Sequence, residues 1–342
     1  MNAGKIRVFQ GFFVFMNPVF LLTTPPGKGA IAVVTLYAER PAEIVQAFFC
    51  PKSGRTLDSY APGEIVYGTI FEEDVLVCPV SPNEMEIHCH GSLAAVARLR
   101  GFLTEQGARE ITRDEWIDRK DDLKTENQKR AFKALLNAET EKVAAILLDQ
   151  VNGAYENALA RGEDPARWDA VARHLTEPWK VVMVGRPNVG KSSLFNRILG
   201  FPRAIGFEQA GPTRDILREK TILDGWLVEL VDTAGLHLAQ DEIEIEGIRR
   251  ARAEIERADL ILWLRDASEP NEDAGESQFP PEKNVLTVWN KADLAAPGAL
   301  SALSDSEIAV SALHETGISE LLDRIVRALV PEEPAPGTGM RL

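Results

Sequence analysis

Apolar positions along the chain fall into three regimes. Between about Pro18 and Ile111, runs such as AIAVVTLYA, EIVYGTIF, DVLVCPV and MEIHCHG have strand length and are separated by turns bearing proline or glycine. Two helical patterns, PAEIVQAFF and LAAVARLRGFLTEQG, interrupt them. This mixture predicts a small α+β domain. From about Trp116 to Thr176 the period lengthens. Phe132, Leu135, Leu136, Val143, Ile146, Leu147 and Val151 recur at three- and four-residue steps, the spacing of helix that buries one face. A second short helix is expected over PARWDAVARHL. The apolar stripe reads as a surface for packing on a neighbouring helix or domain rather than as a ligand site.

From about Pro178 to Val330 the runs WKVVMVG, LVELVDT, LILWLRDAS, NVLTVWN and EIAVSA are continuously apolar. Helical segments alternate with them: KSSLFNRILG, IEIEGIRRARAEIERAD and ISELLDRIVRALV. Uninterrupted apolar strands suit a parallel sheet covered on both faces, so a three-layer, mostly parallel α/β domain is predicted. Residues 269–283 are polar and rich in breakers, and a loop is expected there. The expected division is an extension over 1–19, an α+β domain over 20–115, a short helical region over 116–176, the α/β domain over 177–331 and a tail over 332–342.

Composition narrows the partners. Acidic residues outnumber basic ones, 52 to 38, for a net charge of −14. General binding of nucleic acid is driven by neutralising phosphates, so an RNA contact would need a local basic face or a basic partner. Three cysteines, Cys50, Cys78 and Cys89, form no CxxC pair and read as reduced thiols. Lys5 and Arg7 precede an apolar run that resembles a secretion signal. Asn17 and Pro18 break that run, and TTPPGKGA offers no cleavage site of the A-x-A kind. No apolar stretch is long enough to span a membrane, so a cytoplasmic location is expected. Met16 is a second candidate start.

The chemistry concentrates in the third region. GRPNVGKS, Gly185 to Ser192, follows an apolar strand, opens a helix and fits G-x-x-x-x-G-K-S. Such a loop wraps phosphates with its backbone N–H groups, here those of Asn188, Val189, Gly190, Lys191, Ser192 and Ser193. Lys191 is expected on the β- and γ-phosphates, and the Ser192 hydroxyl on Mg²⁺. GPTRD offers Thr213 as a second Mg²⁺ ligand. VDTAG places Asp232 near the metal and the Gly235 N–H near the γ-phosphate. NKAD, Asn290 to Asp293 with Lys291 between, ends another strand. The Asp293 carboxylate can accept two hydrogen bonds, from guanine N1–H and its 2-amino group, a donor pair adenine lacks. An unpaired buried carboxylate is costly, so the motif selects GTP over ATP. SAL, with Ser311 and Ala312, can supply a backbone N–H for guanine O6.

These motifs resemble the translation-factor-related GTPases, and specifically the tRNA-modification GTPase MnmE family. The resemblance rests on VVMVGRPNVGKSSLFNRILG, GPTRD, VDTAGL, DEIEIEGIRRA and NKAD, and upstream on TPPGKGAIAVV at 24–34 and MEIHCHG at 85–91. GTPases of the Era and Der type share only the first group. The resemblance implies a P-loop GTPase that hydrolyses GTP to GDP and phosphate and serves modification of the tRNA wobble uridine. It implies a homodimer formed through the N-terminal and GTPase domains, an FAD-dependent partner such as MnmG and tRNA reached through that partner. The residue after DTAG is Leu236, which cannot orient water. In the family a glutamate further along does so, and the matching residue is Glu244. K⁺, held partly by Asn188, takes the place of an arginine finger.

Three departures count against carrying the whole family activity over. The chain stops at PEEPAPGTGMRL without the family's C-terminal cysteine motif. Thr35 stands where an arginine accompanies formyl-tetrahydrofolate binding. The polar RDEWIDRKDDLKTENQK replaces a segment resembling PGEFTLRAFLNGK. The alternative reading is a GTP-gated assembly or regulatory module without modification chemistry. His88 and His90 share a strand face, but a zinc site needs further ligands, so packing at a strand end is expected.

Overall fold

The computed structural model describes residues 17–24, 29–118, 120, 122–201, 204–206, 217–232, 249, 252–269 and 279–342. The chain divides into two compact units, 1–129 and 130–342.

In the first unit, β1 (Val19–Leu22), β2 (Ile31–Tyr37), β3 (Cys50–Pro51), β4 (Val66–Ile70), β5 (Glu73–Ser81), β6 (Glu84–His90) and β7 (Arg109–Glu110) form one sheet in the order β3-β4-β5-β6-β2-β1-β7. The predicted α+β domain is therefore real, with α1 (Pro41–Gln46) and α2 (Leu93–Glu105) on the alternating apolar face. Val34, Leu36, Val77 and Ile87 of the sheet pack there with Val45, Leu99 and Leu103 of the helices. Ser92 caps α2 by accepting the Ala95 N–H. On the other face, Trp116 of α3 (Arg113–Asp118) donates to the Tyr37 hydroxyl at 2.8 Å, and Tyr37 donates to Glu84 at 3.0 Å. Burial first, then Glu84, lifts the Tyr37 phenol far above its ordinary value. The strands β1 and β7, too short for a periodic signal, escape sequence reading.

The long helical pattern breaks into α4 (Glu126–Leu135), α5 (Glu141–Val151) and α6 (Ala154–Ala160). Thr140 starts α5 by accepting the Val143 N–H. Gly153, at φ +90°, divides α5 from α6 in a conformation open mainly to glycine. The PARWDAVARHL segment is a 3₁₀ turn (Pro165–Trp168) followed by α7 (Asp169–Arg173).

The second sheet contains β8 (Trp179–Gly185), β9 (Ala204–Gly206), β10 (Leu217–Leu223), β11 (Trp226–Asp232), β12 (Leu260–Asp266), β13 (Val285–Asn290) and β14 (Glu307–Ala309). Its order is β14-β13-β12-β8-β11-β10-β9. The five strands from β14 to β11 are parallel, matching the five apolar runs, whereas β10 and β9 add an antiparallel edge. With α8 (Lys191–Leu199) and α9 (Ile318–Leu329), the α/β architecture is as predicted. Residues 270–278 of the expected loop, and 243–248, 250 and 251 of the IEIEGIRRARAEIERAD segment, lie outside the described residues, while 252–257 are helical.

The helical region and the tail do not stand apart from the α/β domain. Val143, Leu147, Val171 and Met340 belong to the same buried cluster as Val181, Leu230 and Ile325. The completely buried Gln150 donates to Thr338 O and accepts the Met340 N–H, both at 2.8 Å. The β10–β11 turn, Asp224–Gly225, is clasped from α5. The Thr140 hydroxyl donates to Gly225 O at 2.7 Å, and Lys142 meets both Asp224 and Glu333. Trp226 donates to the same Glu333 carboxylate.

Candidate functional site

Strand β8 runs out at Gly185, and α8 begins at Lys191, so the loop between them lies at the carboxyl edge of the parallel sheet, where open α/β sheets bind ligands. The loop needs its glycines. A Cβ at Gly185 would stand 2.6 Å from Leu264 O on β12. Gly190 has φ +93°, and a Cβ there would stand 2.3 Å from Asn290 Nδ2. Asn188 also adopts a positive φ, +64°, which asparagine tolerates better than most residues. No side chain caps the α8 N-terminus. The orphan N–H groups of Lys191, Ser192 and Ser193 therefore face the loop with the positive end of the helix dipole, an arrangement an anionic phosphate completes.

Lys191 is buried, and its ammonium donates to Gly185 O and Arg186 O at 2.7 Å each. Burial draws its pKa below the ordinary lysine value, with Asp232 opposing the shift. The Ser192 hydroxyl donates to Asp232 Oδ2 at 2.9 Å, bringing the start of α8 to the end of β11. A hydroxyl and a carboxylate side by side are the oxygen donors a hard divalent cation prefers. The expected Mg²⁺ ligands Ser192 and Asp232 thus come together. Thr213, Gly235, Leu236 and Glu244 lie outside the described residues.

On the base side, the buried Asn290 ties three loops together. Its Nδ2 donates to Val189 O at 2.9 Å, and its Oδ1 accepts the Ala312 N–H at 3.2 Å. Of the SAL backbone N–H groups expected for guanine O6, that of Ala312 is engaged by Asn290 and that of Ser311 by Thr316 O. Lys291, at φ +60°, holds Asp266 Oδ2 at 2.5 Å. Burial alone would raise the Asp266 pKa, but hydrogen bonds from Lys291 and Ser268 lower it. The Ser311 hydroxyl, more than any other group, holds the Asp293 carboxyl below its ordinary value. That acid is kept as an acceptor-only carboxylate, the form that reads two N–H donors. Sequence reasoning missed Asp266 and the bracing role of Asn290. Neither has a local signal, since Val189 and Asn290 are far apart in the chain.

Away from this site, His88 Nε2 meets Glu86 Oε2 at 2.9 Å. Among the described residues, no group of three or more His, Cys, Asp or Glu side chains is gathered to hold a metal. No helix among them is long and apolar enough to cross a membrane.

The GTPase family described as 50S ribosome-binding GTPase matches residues 180–291, which span the phosphate loop through Lys291. Over nearly the full chain the similarity is to proteins of another description. The tRNA modification GTPase MnmE of Latilactobacillus sakei is 31% identical over 378 residues, covering 91% of this chain and 80% of that protein. Its counterpart in Lactococcus lactis is 30% identical over 370 residues, covering 90% and 80%. That of Streptococcus pyogenes is 29% identical over 372 residues, with the same coverage. Because the likeness runs through both units rather than the phosphate loop alone, the chain belongs to the tRNA modification GTPase MnmE family.

Proposed function

We propose that this protein binds and hydrolyses GTP, giving GDP and phosphate, and that its nucleotide cycle serves tRNA modification at the wobble uridine. The observation that carries the reading is the pairing of the uncapped α8 N-terminus and Lys191 with a 31% identity to MnmE across 91% of the chain. When GTP enters, phosphate oxygens replace Gly185 O and Arg186 O as partners of the Lys191 ammonium, and the free N–H groups of the first α8 turn cradle the β-phosphate. Ser192 and Asp232 would hold Mg²⁺, which would supply positive charge to the phosphates when bound. Asp293 selects guanine, with Asn290 keeping its loop beside the phosphate loop.

The finer assignments are proposals of the same reading. Glu244 orients the attacking water, the Gly235 N–H senses the γ-phosphate, and Thr213 completes the Mg²⁺ shell. Asn188 would help hold K⁺, whose charge would substitute for an arginine finger. A homodimer through both units assembles that site, an MnmG-like FAD protein is the partner in the cytoplasm, and tRNA is reached with it. Formyl-tetrahydrofolate is left out. Thr35 is buried with its hydroxyl 3.3 Å from that of Thr23, and it places no cation where the family has an arginine.

GTP turnover measured in K⁺ and in Na⁺ across protein concentration tests the reading. Turnover should be faster in K⁺ and rise per molecule with concentration. A protein that binds no guanine nucleotide would end the reading, and one indifferent to the cation would remove Asn188 from its role. Wobble nucleosides in a deletion strain test the tRNA role, and unchanged modification there would reject it.

A further inference from the structure

The loop that follows β14 is held at a residue outside the GRPNVGKS phosphate loop and the NKAD motif. Arg197, in the last turn of α8, donates from Nε to Ala312 O at 3.0 Å, and its Nη1 is bonded to the Glu315 carboxylate. Asn290 already engages the other backbone group of Ala312, its N–H. Ala312 is thus gripped from both sides, by β13 through its N–H and by the phosphate-loop helix through its carbonyl. The rest of the loop is equally constrained. The Ser311 N–H donates to Thr316 O at 3.0 Å, and the Ser311 hydroxyl accepts from the His314 N–H at 3.2 Å. Glu315 takes a left-handed φ of +61°. Gly317 closes the loop at φ +75°, where a Cβ would stand 2.5 Å from Ala309 O.

From this geometry we infer that Arg197 is a positioning residue for base recognition: it locks the Ser311–Leu313 loop to the helix that holds the phosphates and so sets the preference for guanine over adenine. The inference rests on the GTP-binding reading and deepens it. A guanidinium suits the task because its planar fork serves a carbonyl and a carboxylate together, whereas an ammonium is a single point charge. The loop lies on the base side, so slack in it weakens contacts to guanine and leaves the phosphate contacts at Lys191 and Ser192 in place. ADP, which gains little from a guanine-shaped loop, should be insensitive to the change.

Calorimetric titration of the full chain with GDP and with ADP, both with Mg²⁺, tests this in wild type, Arg197→Ala, Arg197→Lys and Glu315→Gln. Arg197→Ala should lower GDP affinity about tenfold, the scale of one charge-assisted hydrogen bond, while ADP affinity stays within about twofold. Arg197→Lys should fall between Arg197→Ala and wild type, and Glu315→Gln should weaken GDP less than Arg197→Ala does. An unchanged ratio of GDP to ADP affinity in Arg197→Ala overturns the inference, whether both affinities hold or both fall together as in general unfolding. A wild-type protein that binds neither nucleotide instead rejects the GTP-binding reading, and the inference falls with it.

Discussion

At the scale of single residues, Lys191 and Asn290 carry the site in different ways. Lys191 donates its ammonium to two loop carbonyls, so the loop itself fixes the position of the charge. Lys191→Ala should therefore weaken binding of fluorescent GDP by at least about a hundredfold, as loss of a desolvated charge on phosphate does. Unaltered affinity would show that the loop backbone suffices. The identity of Lys191, Ser192, Asp232 and Asp293 was legible in sequence because each sits in a short motif with a fixed spacing. The tasks of Asn290 and Arg197 were not, because each depends on a contact with a loop distant in the chain, and nothing local to NKAD or to FNRILG announces it.

At the scale of elements, the strands of the parallel sheet were readable for a physical reason. The central strands β12 and β13 are buried on both faces, so each is a continuous apolar run. The strand β10, LREKTIL, one in from the edge, is half polar and has its antiparallel partners only in the folded chain, so periodicity did not separate it from loop. The helical region read as periodic, but its interruptions at Thr140 and Gly153 are matters of capping and positive φ that an apolar count does not register. Asp259 joins two of these elements. It accepts from Arg173 at 2.9 Å beside α7 and from the Lys180 N–H at 2.8 Å on β8. Burial alone would raise its pKa. Hydrogen bonds from His174 and Lys180, with the Arg173 charge alongside, bring it below the ordinary 3.8. A lowered folded-state value stabilises the fold above the unfolded value, about pH 4, and the contribution is lost as pH falls through the folded value. Asp259→Asn should accordingly lower the melting temperature at pH 7 and narrow the gap to wild type as the pH drops towards 3. A gap that is constant with pH would show that the charge does not matter.

At the scale of the whole chain, the segment after α9 is part of the core. Gln150 is the buried hub for it, and Met340 is equally buried. Gly339 passes so close to α6 that a Cβ would stand 2.5 Å from that of Ala158. Gln150→Leu keeps the volume but removes the hydrogen bonds to Thr338 O and from the Met340 N–H, a cost of about 2–3 kcal/mol. Urea unfolding should reveal it as a lower midpoint, whereas a midpoint equal to wild type would mean the tail contributes little. The clasp on the β10–β11 turn bears on how the nucleotide is felt elsewhere. These two strands are one ladder of seven paired residues, from Leu217 opposite Asp232 to Leu223 opposite Trp226. At roughly 3.3 Å per residue, that ladder spans about 20 Å. One end is the carboxylate beside Ser192, and the other is the knot of Thr140, Lys142 and Glu333. A rigid rod fixed at both ends transmits displacement rather than absorbing it. The indole of Trp226, seated at the far knot, should therefore change its emission when nucleotide binds at the phosphate end, and an emission that stays constant would show that the ladder carries nothing.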